Sequence, residues 1–280
     1  MTTDLYRRAG ELACQKVRFA VATVVRVVGS SSAKPGSKAI IDENGKLLEG
    51  WVGGGCAESA VRTEAQKCIT EDRTAVIMLD LMDEVLGVGM PCGGQMEVYI
   101  EPVLPKPKLV LVGHGRITEV LATLGHLMHF SVTVSDPAAK TESFPEAERL
   151  ITEDLDFSET PMDRNTYTVI ATQHKNDHLW VKKALEGDAV YMALVASQKR
   201  SKLVLEYALS AGVPADKLER VRAPAGLDLG ASTPEEIALS IMSEIIAVRR
   251  GATGQPLRDR LQKGPKESAS VAKVISQCET

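Results

Sequence analysis

Apolar residues follow two different patterns along this chain, and the patterns predict two different halves. In the first third, β-branched runs alternate with clusters of glycine, asparagine and serine, which is typical of strands joined by turns. Strands are predicted at 18–28, 38–41, 46–52, 74–79 and 96–100. Segment 57–69 instead repeats apolar residues at helical spacing. This half therefore predicts a mixed α+β domain with one helix.

The second half alternates short apolar strands with helices, the signature of a doubly wound parallel sheet. Strands are predicted at 108–112, 131–134, 167–171 and 189–195, and helices at 117–128, 177–185 and 199–211. A last helix is predicted to begin at Thr233-Pro234-Glu235-Glu236, where threonine caps the helix and glutamate closes a capping box. The predicted class is α/β: an N-terminal mixed α+β domain followed by a Rossmann-like domain.

Two breaks in composition divide the chain into predicted domains. Pro102, Pro105 and Pro107 lie close together, and such a stretch predicts a stiff linker. The polar, weakly periodic segment after Gly251 predicts a mobile tail. We therefore expect domains at 1–104 and 105–251, followed by a tail at 252–280.

Composition and charge exclude several classes of protein. The chain has 280 residues, of which 44% are hydrophobic and 25% charged, as in ordinary globular proteins. Its net charge of -4 lacks the basic excess of a nucleic-acid binder. No apolar run reaches the roughly 18 residues of a membrane span, and the run 19–25 suits a strand better than a signal sequence. Five widely spaced cysteines predict free thiols and a cytoplasmic protein.

The first candidate for chemistry follows the predicted strand 108–112. There Gly113-His114-Gly115-Arg116 joins a strand to a helix, and the glycines would let a pyrophosphate approach backbone N–H groups. Asp136 lies about 20 positions further on, where an acid can bind ribose hydroxyls. Thr118 stands where the third glycine of this motif belongs. The turn therefore predicts either a bound nucleotide or related phosphate ligand, or a purely structural Rossmann turn.

Two glycine-rich loops in the first half each carry one cysteine. Gly53-Gly54-Gly55 precedes Cys56 at the start of a predicted helix, and Cys92 precedes Gly93-Gly94. A helix N-terminus lowers the pKa of a thiol placed there. Such a thiolate could bind a soft metal, carry sulfur or form a redox pair, whereas the alternative is a buried structural cysteine. The other three cysteines lack this setting.

A third candidate lies directly after the predicted strand 167–171. Ligands of an open parallel sheet bind beyond the carboxyl ends of its strands, which is where His174 and His178 are found. On a helix this spacing would place both imidazoles on one face, where they could hold a metal. A loop with two solvated histidines explains the same pattern.

Several of these segments together resemble the XdhC/CoxI family. The resemblance is carried by the two glycine–cysteine loops, by the run 190–200, and by Ala223-Pro224-Ala225-Gly226-Leu227-Asp228-Leu229-Gly230 leading into Thr233-Pro234-Glu235-Glu236. It covers nearly everything from residue 18 to 251. The resemblance implies an accessory protein for molybdenum hydroxylases such as xanthine dehydrogenase or aerobic carbon monoxide dehydrogenase. Such a protein binds the molybdenum cofactor, protects it while its sulfido ligand is installed, and delivers it to the apoenzyme.

The resemblance also implies roles and partners for this chain. Cys56 and Cys92 become the expected contacts to cofactor, sulfur or metal, with the molybdenum cofactor (molybdopterin) as cargo. The expected partners are the large subunit of an apo molybdenum hydroxylase and a cysteine desulfurase or other sulfur donor. Met90-Pro91-Cys92 would also suit the CoxF-like branch of carbon monoxide dehydrogenase maturation factors.

Two other functions stay open at the level of the sequence. One is an oxidoreductase that binds FAD or NAD(P) and uses Cys56 and Cys92 as a redox pair. The other is a scaffold whose Rossmann domain docks the target enzyme. A ligand that touches both halves would lie between domains or between subunits, so we expect a homodimer.

Overall fold

The structure is a computed structural model that describes residues 2–80, 94–153, 158–159, 162–173, 176–260 and 272–273. Their contacts divide the chain into two compact units. The first comprises the described residues of Met1–Pro105 and Gly264–Thr280, and the second those of Lys106–Lys263. The division falls inside the proline-rich segment 102–107.

The first unit is an antiparallel sheet covered by a long helix. Its elements are α1 (Thr2–Cys14), β1 (Phe19–Gly29), β2 (Lys38–Asp42), β3 (Leu47–Gly50), α2 (Cys56–Glu71), β4 (Ala75–Asp80) and β5 (Gly94–Val103). The strands are ordered β4-β5-β1-β2-β3, with antiparallel neighbours. Apolar residues of α2, among them Val61 and Ala65, are buried in one core with the sheet. Helix α1 was not predicted; its Leu5 and Leu12 pack with Phe19 and Ile40.

Strand β5 continues through part of the predicted linker. Pro102 pairs with Ala20 of β1, whereas the pairing of β5 with β4 ends at Ile100. Beyond Ile100 the strand has a partner on one side only, so a proline without an N–H is accommodated there. The proline-rich stretch is therefore strand up to Val103 and a connection only after it.

The second unit is a six-stranded parallel sheet with helices on both faces. Its strands are β6 (Lys108–Val112), β7 (Ser131–Ser135), β8 (Arg149–Ile151), β9 (Thr166–Ile170), β10 (Tyr191–Leu194) and β11 (Val221–Arg222). Its helices are α3 (Arg116–Leu127), α4 (Asp177–Ala184), α5 (Gln198–Ser210), α6 (Ala215–Leu218), α7 (Pro234–Arg249) and α8 (Leu257–Arg260), with a short 3-10 helix at Thr141–Ser143. The order β8-β7-β6-β9-β10-β11 is that of a Rossmann sheet counted from β6.

Alternate residues of the central strands enter two separate cores. Leu109 and Leu111 of β6 pack on the side of α3 and α7, whereas Val110 and Val112 pack on the side of α4 and α5. A strand buried on both faces has no polar side, and this explains the unbroken apolar run 109–112. The predicted fold class, a mixed α+β half followed by a Rossmann-like half, is confirmed.

The capping box at the start of α7 is formed as predicted. The Thr233 side chain accepts a hydrogen bond from the Glu236 N–H, and the Glu236 carboxylate accepts from the Thr233 N–H. In the predicted tail, β12 (Ala272–Lys273) pairs in parallel with β4. Across the described ranges, the structure contains no helix with the length and hydrophobicity needed to span a membrane.

Candidate functional site

A cavity of about 980 Å³ lies beyond the carboxyl ends of β6, β9, β10 and β11. Its walls are the turn 113–116 with the start of α3, the loops that follow β9 and β10, the segment 224–231 and the first turns of α7. The strand order reverses between β6 and β9. Open parallel sheets bind ligands at such a reversal, so this cavity is the candidate site.

Two glycines shape the turn after β6, each for a different reason. Gly113 has a φ of 121°, and a Cβ there would overlap the carbonyl oxygen of Ala171 at the end of β9. Gly115 has a φ of 106° and precedes α3, where a Cβ would meet only the flexible Gln173 side chain, 2.8 Å away. No side chain of the described residues caps α3. The N–H groups of its first turn are therefore open to a ligand.

Asp136, the carboxylate predicted to bind a ribose, is bound to His114. Oδ1 of Asp136 lies 2.9 Å from Nδ1 of His114 and accepts a hydrogen bond of 2.7 Å from the N–H of Ala138. His114 lines the cavity, whereas Asp136 is absent from the described lining residues and its side chain is only 15% exposed. In this structure Asp136 therefore orients the imidazole that faces the cavity.

Thr118 occupies the position of the third glycine and is buried in the cavity wall. It is 1% exposed, and its Oγ1 has no hydrogen-bond partner among the described residues. The close approach of helix and strands occurs at Gly125 instead, where a Cβ would press on Leu109 of β6 and Val132 of β7. The missing third glycine thus does not separate α3 from the sheet. The exchange leaves a buried hydroxyl without a partner in the cavity wall.

Replacing Thr118 with valine is expected to stabilise the ligand-free protein by about 1 kcal/mol, because a buried hydroxyl without a partner costs about 1–3 kcal/mol. Urea unfolding followed by circular dichroism would measure the difference. Thr118→Ser is the matched control, since it keeps the hydroxyl and loses the methyl group. A valine variant that is less stable than the wild type would mean that Oγ1 has a partner in the folded protein.

Glu244 of α7 fixes the wall opposite the turn. Its carboxylate accepts hydrogen bonds from the Tyr191 hydroxyl at 2.6 Å, from the Gly226 N–H at 3.0 Å and from Arg222 at 3.1 Å. Burial, and then the neighbouring carboxylate, raise the pKa of Tyr191, so its hydroxyl stays protonated and donates. Ser240 of the same helix donates to the carbonyl of Leu227 at 2.7 Å. Segment 224–231 is therefore attached to α7 at two points.

Two charged side chains of opposite sign line the cavity among the described residues. Arg116 places its Nε 2.7 Å from Glu235, and this contact raises the pKa of Arg116 and lowers that of Glu235. Asp228 is exposed, lines the same cavity, and makes no hydrogen bond or ion pair with the described residues. The cavity thus presents an ion-paired guanidinium at its turn and an unpaired carboxylate on segment 224–231.

The loop after β9 is attached to α5 by a buried carboxylate. Asp177, which is 1% exposed, accepts a hydrogen bond from the Thr172 hydroxyl and lies 3.2 Å from Nε of Arg200.

Of the two histidines predicted to share a metal site, His174 lies outside the described residues. His178 packs its ring against Tyr207, with centroids 4.2 Å apart. Over the described parts of the chain, no three or more His, Cys, Asp or Glu residues cluster as a metal site requires.

The glycine–cysteine loops are described only in part. Helix α2 begins at Cys56, but the side chain of Cys56 and the whole of Cys92 and Gly93 lie outside the described atoms. Within the described part, a Cβ at Gly54 or Gly55 would meet nothing within 4 Å, whereas Gly53 has a φ of 118°. Gly94 is buried in β5, where a Cβ would overlap the Ser30 backbone. Packing therefore explains Gly94, and a positive φ of 56° explains Gly55, whereas Gly54 has neither reason.

Two of the remaining cysteines provide a reference for thiol reactivity. Cys68 is buried in α2, and burial raises its pKa to about 11. It stays a thiol at neutral pH and is unreactive. Cys14 is exposed at the end of α1.

Two family models match this chain. The XdhC Rossmann domain model matches residues 109–245, and the XdhC and CoxI family model matches residues 12–80. Together they cover about three quarters of the chain. The chain belongs to the XdhC and CoxI family. The first match coincides with the sheet that carries the cavity, and the second contains the Cys56 loop.

Two curated relatives of this family member are known by name. A protein of Escherichia coli (strain K12) called YqeB, described as uncharacterized, is 28% identical over 258 residues, 90% of this chain and 47% of YqeB. A protein of Bacillus subtilis (strain 168), named as a probable subunit of xanthine dehydrogenase, is 35% identical over 159 residues, 55% of this chain and 46% of that protein. This chain therefore spans about half the length of the curated relatives it matches.

A solved structure gives a looser match. It is described as a xanthine dehydrogenase from Bacillus halodurans and is 22% identical, with a TM-score of 0.46, over 93% of this chain and 97% of that one. The two family models identify the family, and the CoxF-like branch stays a prediction.

Proposed function

We propose that this protein is a maturation factor that holds the molybdenum cofactor for a molybdenum hydroxylase and hands it over without turnover of its own. The proposal is supported by membership of the XdhC and CoxI family and by a relative whose name places it in xanthine dehydrogenase. The observation that carries it is the position of the cavity, which extends from the phosphate-type turn towards β9, β10 and β11.

One end of the cavity suits a phosphate group. The turn 113–115 is followed by the uncapped start of α3, and Arg116, whose guanidinium is paired with Glu235 and Glu119, lines the same end. Ser197, which caps α5, lines the same space. Helix N-termini bind phosphate because their N–H groups are unpaired and their dipoles favour an anion. The molybdenum cofactor ends in a phosphate, which these groups would hold.

The adenosine half of a dinucleotide site does not belong to this cavity. In a Rossmann domain the acid that follows the second strand binds the ribose of adenosine, yet Asp136 is bound to His114 and Ala138. None of the described lining residues comes from β7, β8 or the segment between them. This geometry favours a ligand with one phosphate and one ring system over FAD or NAD(P).

The two loop cysteines keep their proposed role from the family resemblance. When bound, the cofactor supplies a metal centre whose sulfido ligand has to be installed. Cys56 and Cys92 are the proposed thiols for that sulfur or metal. Thiol oxidoreduction by this pair stays a prediction, since neither thiol belongs to the described atoms.

A strain that lacks this protein is expected to assemble its molybdenum hydroxylase in normal amount but with activity reduced at least about tenfold. Immunoblotting would give the amount, and activity, molybdenum content and sulfido content would be measured on the purified enzyme. Full activity with a complete metal centre in that strain would contradict the proposal. Complementation with Cys56→Ser and with Cys92→Ser tests the thiols, and Cys14→Ser, at an exposed cysteine, is the matched control that restores activity.

A resident part of the enzyme is the second candidate, favoured by the name of the Bacillus subtilis relative. A resident component would copurify with the hydroxylase in equal amount, and its removal would lower the amount of assembled enzyme. A maturation factor is expected in the apoenzyme fraction and absent from the finished enzyme. Quantitative mass spectrometry of the purified enzyme separates the two.

A further inference from the structure

The carboxylate of Asp228 contributes no hydrogen bond or ion pair to the described part of the fold. It lies in segment 224–231, which Glu244 and Ser240 hold through Gly226 and Leu227. Asp228 itself makes no hydrogen bond or ion pair within the described part of the chain. A rigid segment thus presents an unpaired carboxylate to the cavity. Pre-organised groups of this kind bind ligands with little loss of conformational entropy.

The surroundings of Asp228 suit a flat ring. Its neighbours Leu227 and Leu229 line the cavity together with Ile117, Val195 and Ile237. Leu229 is 56% exposed, so its side chain is accessible to a ligand. Ligand sites commonly combine an apolar wall with a few polar groups that fix orientation. The wall here supplies apolar contact, and Asp228 supplies the oriented polar group.

We propose that Asp228 recognises the edge of an aminopyrimidinone ring, the edge shared by pterins and guanine, in a ligand whose phosphate lies at the turn 113–116. The inference rests on the proposed function in that it assigns an orientation to the cargo in the same cavity. It names the chemical class that the cavity selects, a phosphate monoester with two adjacent N–H donors on its ring.

The hydrogen-bonding capacity of the Asp228 carboxylate determines which class of ring it can bind. An ionised carboxylate has two acceptor oxygens and no donor, so it pairs with two parallel N–H groups. Pterin and guanine present a ring N–H beside an amino group, whereas adenine presents a ring acceptor beside its amino group. Charge decides the direction, because a phosphate is repelled by Asp228 and attracted by the uncapped N–H groups at the start of α3. The ring therefore lies at segment 224–231.

Calorimetric titration of the purified chain with GMP, AMP and IMP tests this directly. We expect GMP to bind at least about tenfold more tightly than AMP, since charged hydrogen bonds contribute about 1.5–3 kcal/mol. IMP, which keeps the ring N–H and lacks the amino group, should lie between them. In Asp228→Asn the GMP affinity should fall at least about tenfold, with AMP binding unchanged or tighter. Asp216→Asn, at an exposed position of α6, is the matched control and should leave all three affinities unchanged.

Titration with neopterin monophosphate distinguishes a pterin ligand from a guanine nucleotide, which share this ring edge. Tighter binding than GMP supports a pterin cargo, and weaker binding than GMP supports a guanine nucleotide; both retain the assigned role of Asp228. Equal affinities for GMP and AMP, a preference that persists in folded Asp228→Asn, or no binding of any probe would overturn the inference. These results concern ligand choice by the isolated chain, so they are independent of the deletion experiment, which alone decides the maturation role.

Discussion

Replacing Gly113 with alanine is expected to lower the free energy of unfolding of the Rossmann unit by about 3 kcal/mol or more. Two costs add up. A side chain at a φ of 121° is strained, and the new methyl group would overlap the carbonyl of Ala171, which is backbone at the end of β9. A main-chain atom of a central strand cannot move aside without breaking the β6–β9 pairing. Urea unfolding would measure the loss.

Gly115→Ala is the matched control for that variant. Gly115 also has a positive φ of 106°, so the backbone cost is similar. The contact of its Cβ, however, is with the end of the Gln173 side chain, which can rotate away at the loss of one hydrogen bond to the His114 carbonyl. We therefore expect a clearly smaller loss of stability. Equal losses in the two variants would show that backbone strain, and not the close approach to β9, explains Gly113.

The second large effect is expected at Glu244. Glu244→Ala should destabilise the protein by about 2–4 kcal/mol, because it leaves the buried Tyr191 hydroxyl and the Gly226 N–H without an acceptor, and each such group costs about 1–3 kcal/mol. The same change should loosen segment 224–231 and weaken GMP binding. Chemical denaturation and calorimetry on one preparation measure both effects.

Two variants of the same helix make that result interpretable. Glu244→Gln keeps one acceptor oxygen, so it should cost less than the alanine change. Ser243→Ala removes a hydroxyl that bonds to the Leu239 carbonyl within the helix, and should change stability by less than about 0.5 kcal/mol. A Glu244→Ala protein as stable as Ser243→Ala would mean that the three hydrogen bonds of Glu244 contribute nothing net.

Local sequence patterns were sufficient to predict most of the strands and helices of the second unit. Strand β6 has the predicted bounds, 108–112, because an unbroken apolar run between a proline and a glycine fits only a buried strand. The predicted start of α7 is confirmed because its capping box is a property of four consecutive residues. Helix α1 and the short elements β8, α6, β11 and α8 were missed. Helix α1 does have helical spacing, with Leu5, Ala9 and Leu12 on one side, so its signal was present in the sequence. The short elements have only two to four residues, too few to carry a periodic pattern.

The roles of the site residues depended on contacts that no local pattern contains. Sequence reasoning placed Asp136 on a ribose, but β7 and the turn after β6 bring it to His114. The third glycine of the motif, replaced here by Thr118, ordinarily allows the helix to approach the strand closely, whereas in this fold the close approach occurs at Gly125. Sequence reasoning left Asp228 within a family motif and did not mention Glu244 as a site residue. The signal that could have found Asp228 is that it is the one charged residue of the segment 223–232 that follows β11.

The sequence by itself determined the two-part α/β architecture, the glycine turn at the end of β6 and the family. These depend on periodicity, capping and short motifs, which act over a few neighbouring residues. Only the tertiary structure decided that the cavity lies over β9, β10 and β11, and that Glu244 holds its far wall through Tyr191 and Gly226. Those contacts join residues far apart in the chain. They exist because a parallel sheet brings the carboxyl ends of its strands to one edge, and the order of strands at that edge is set by the packing of the whole domain.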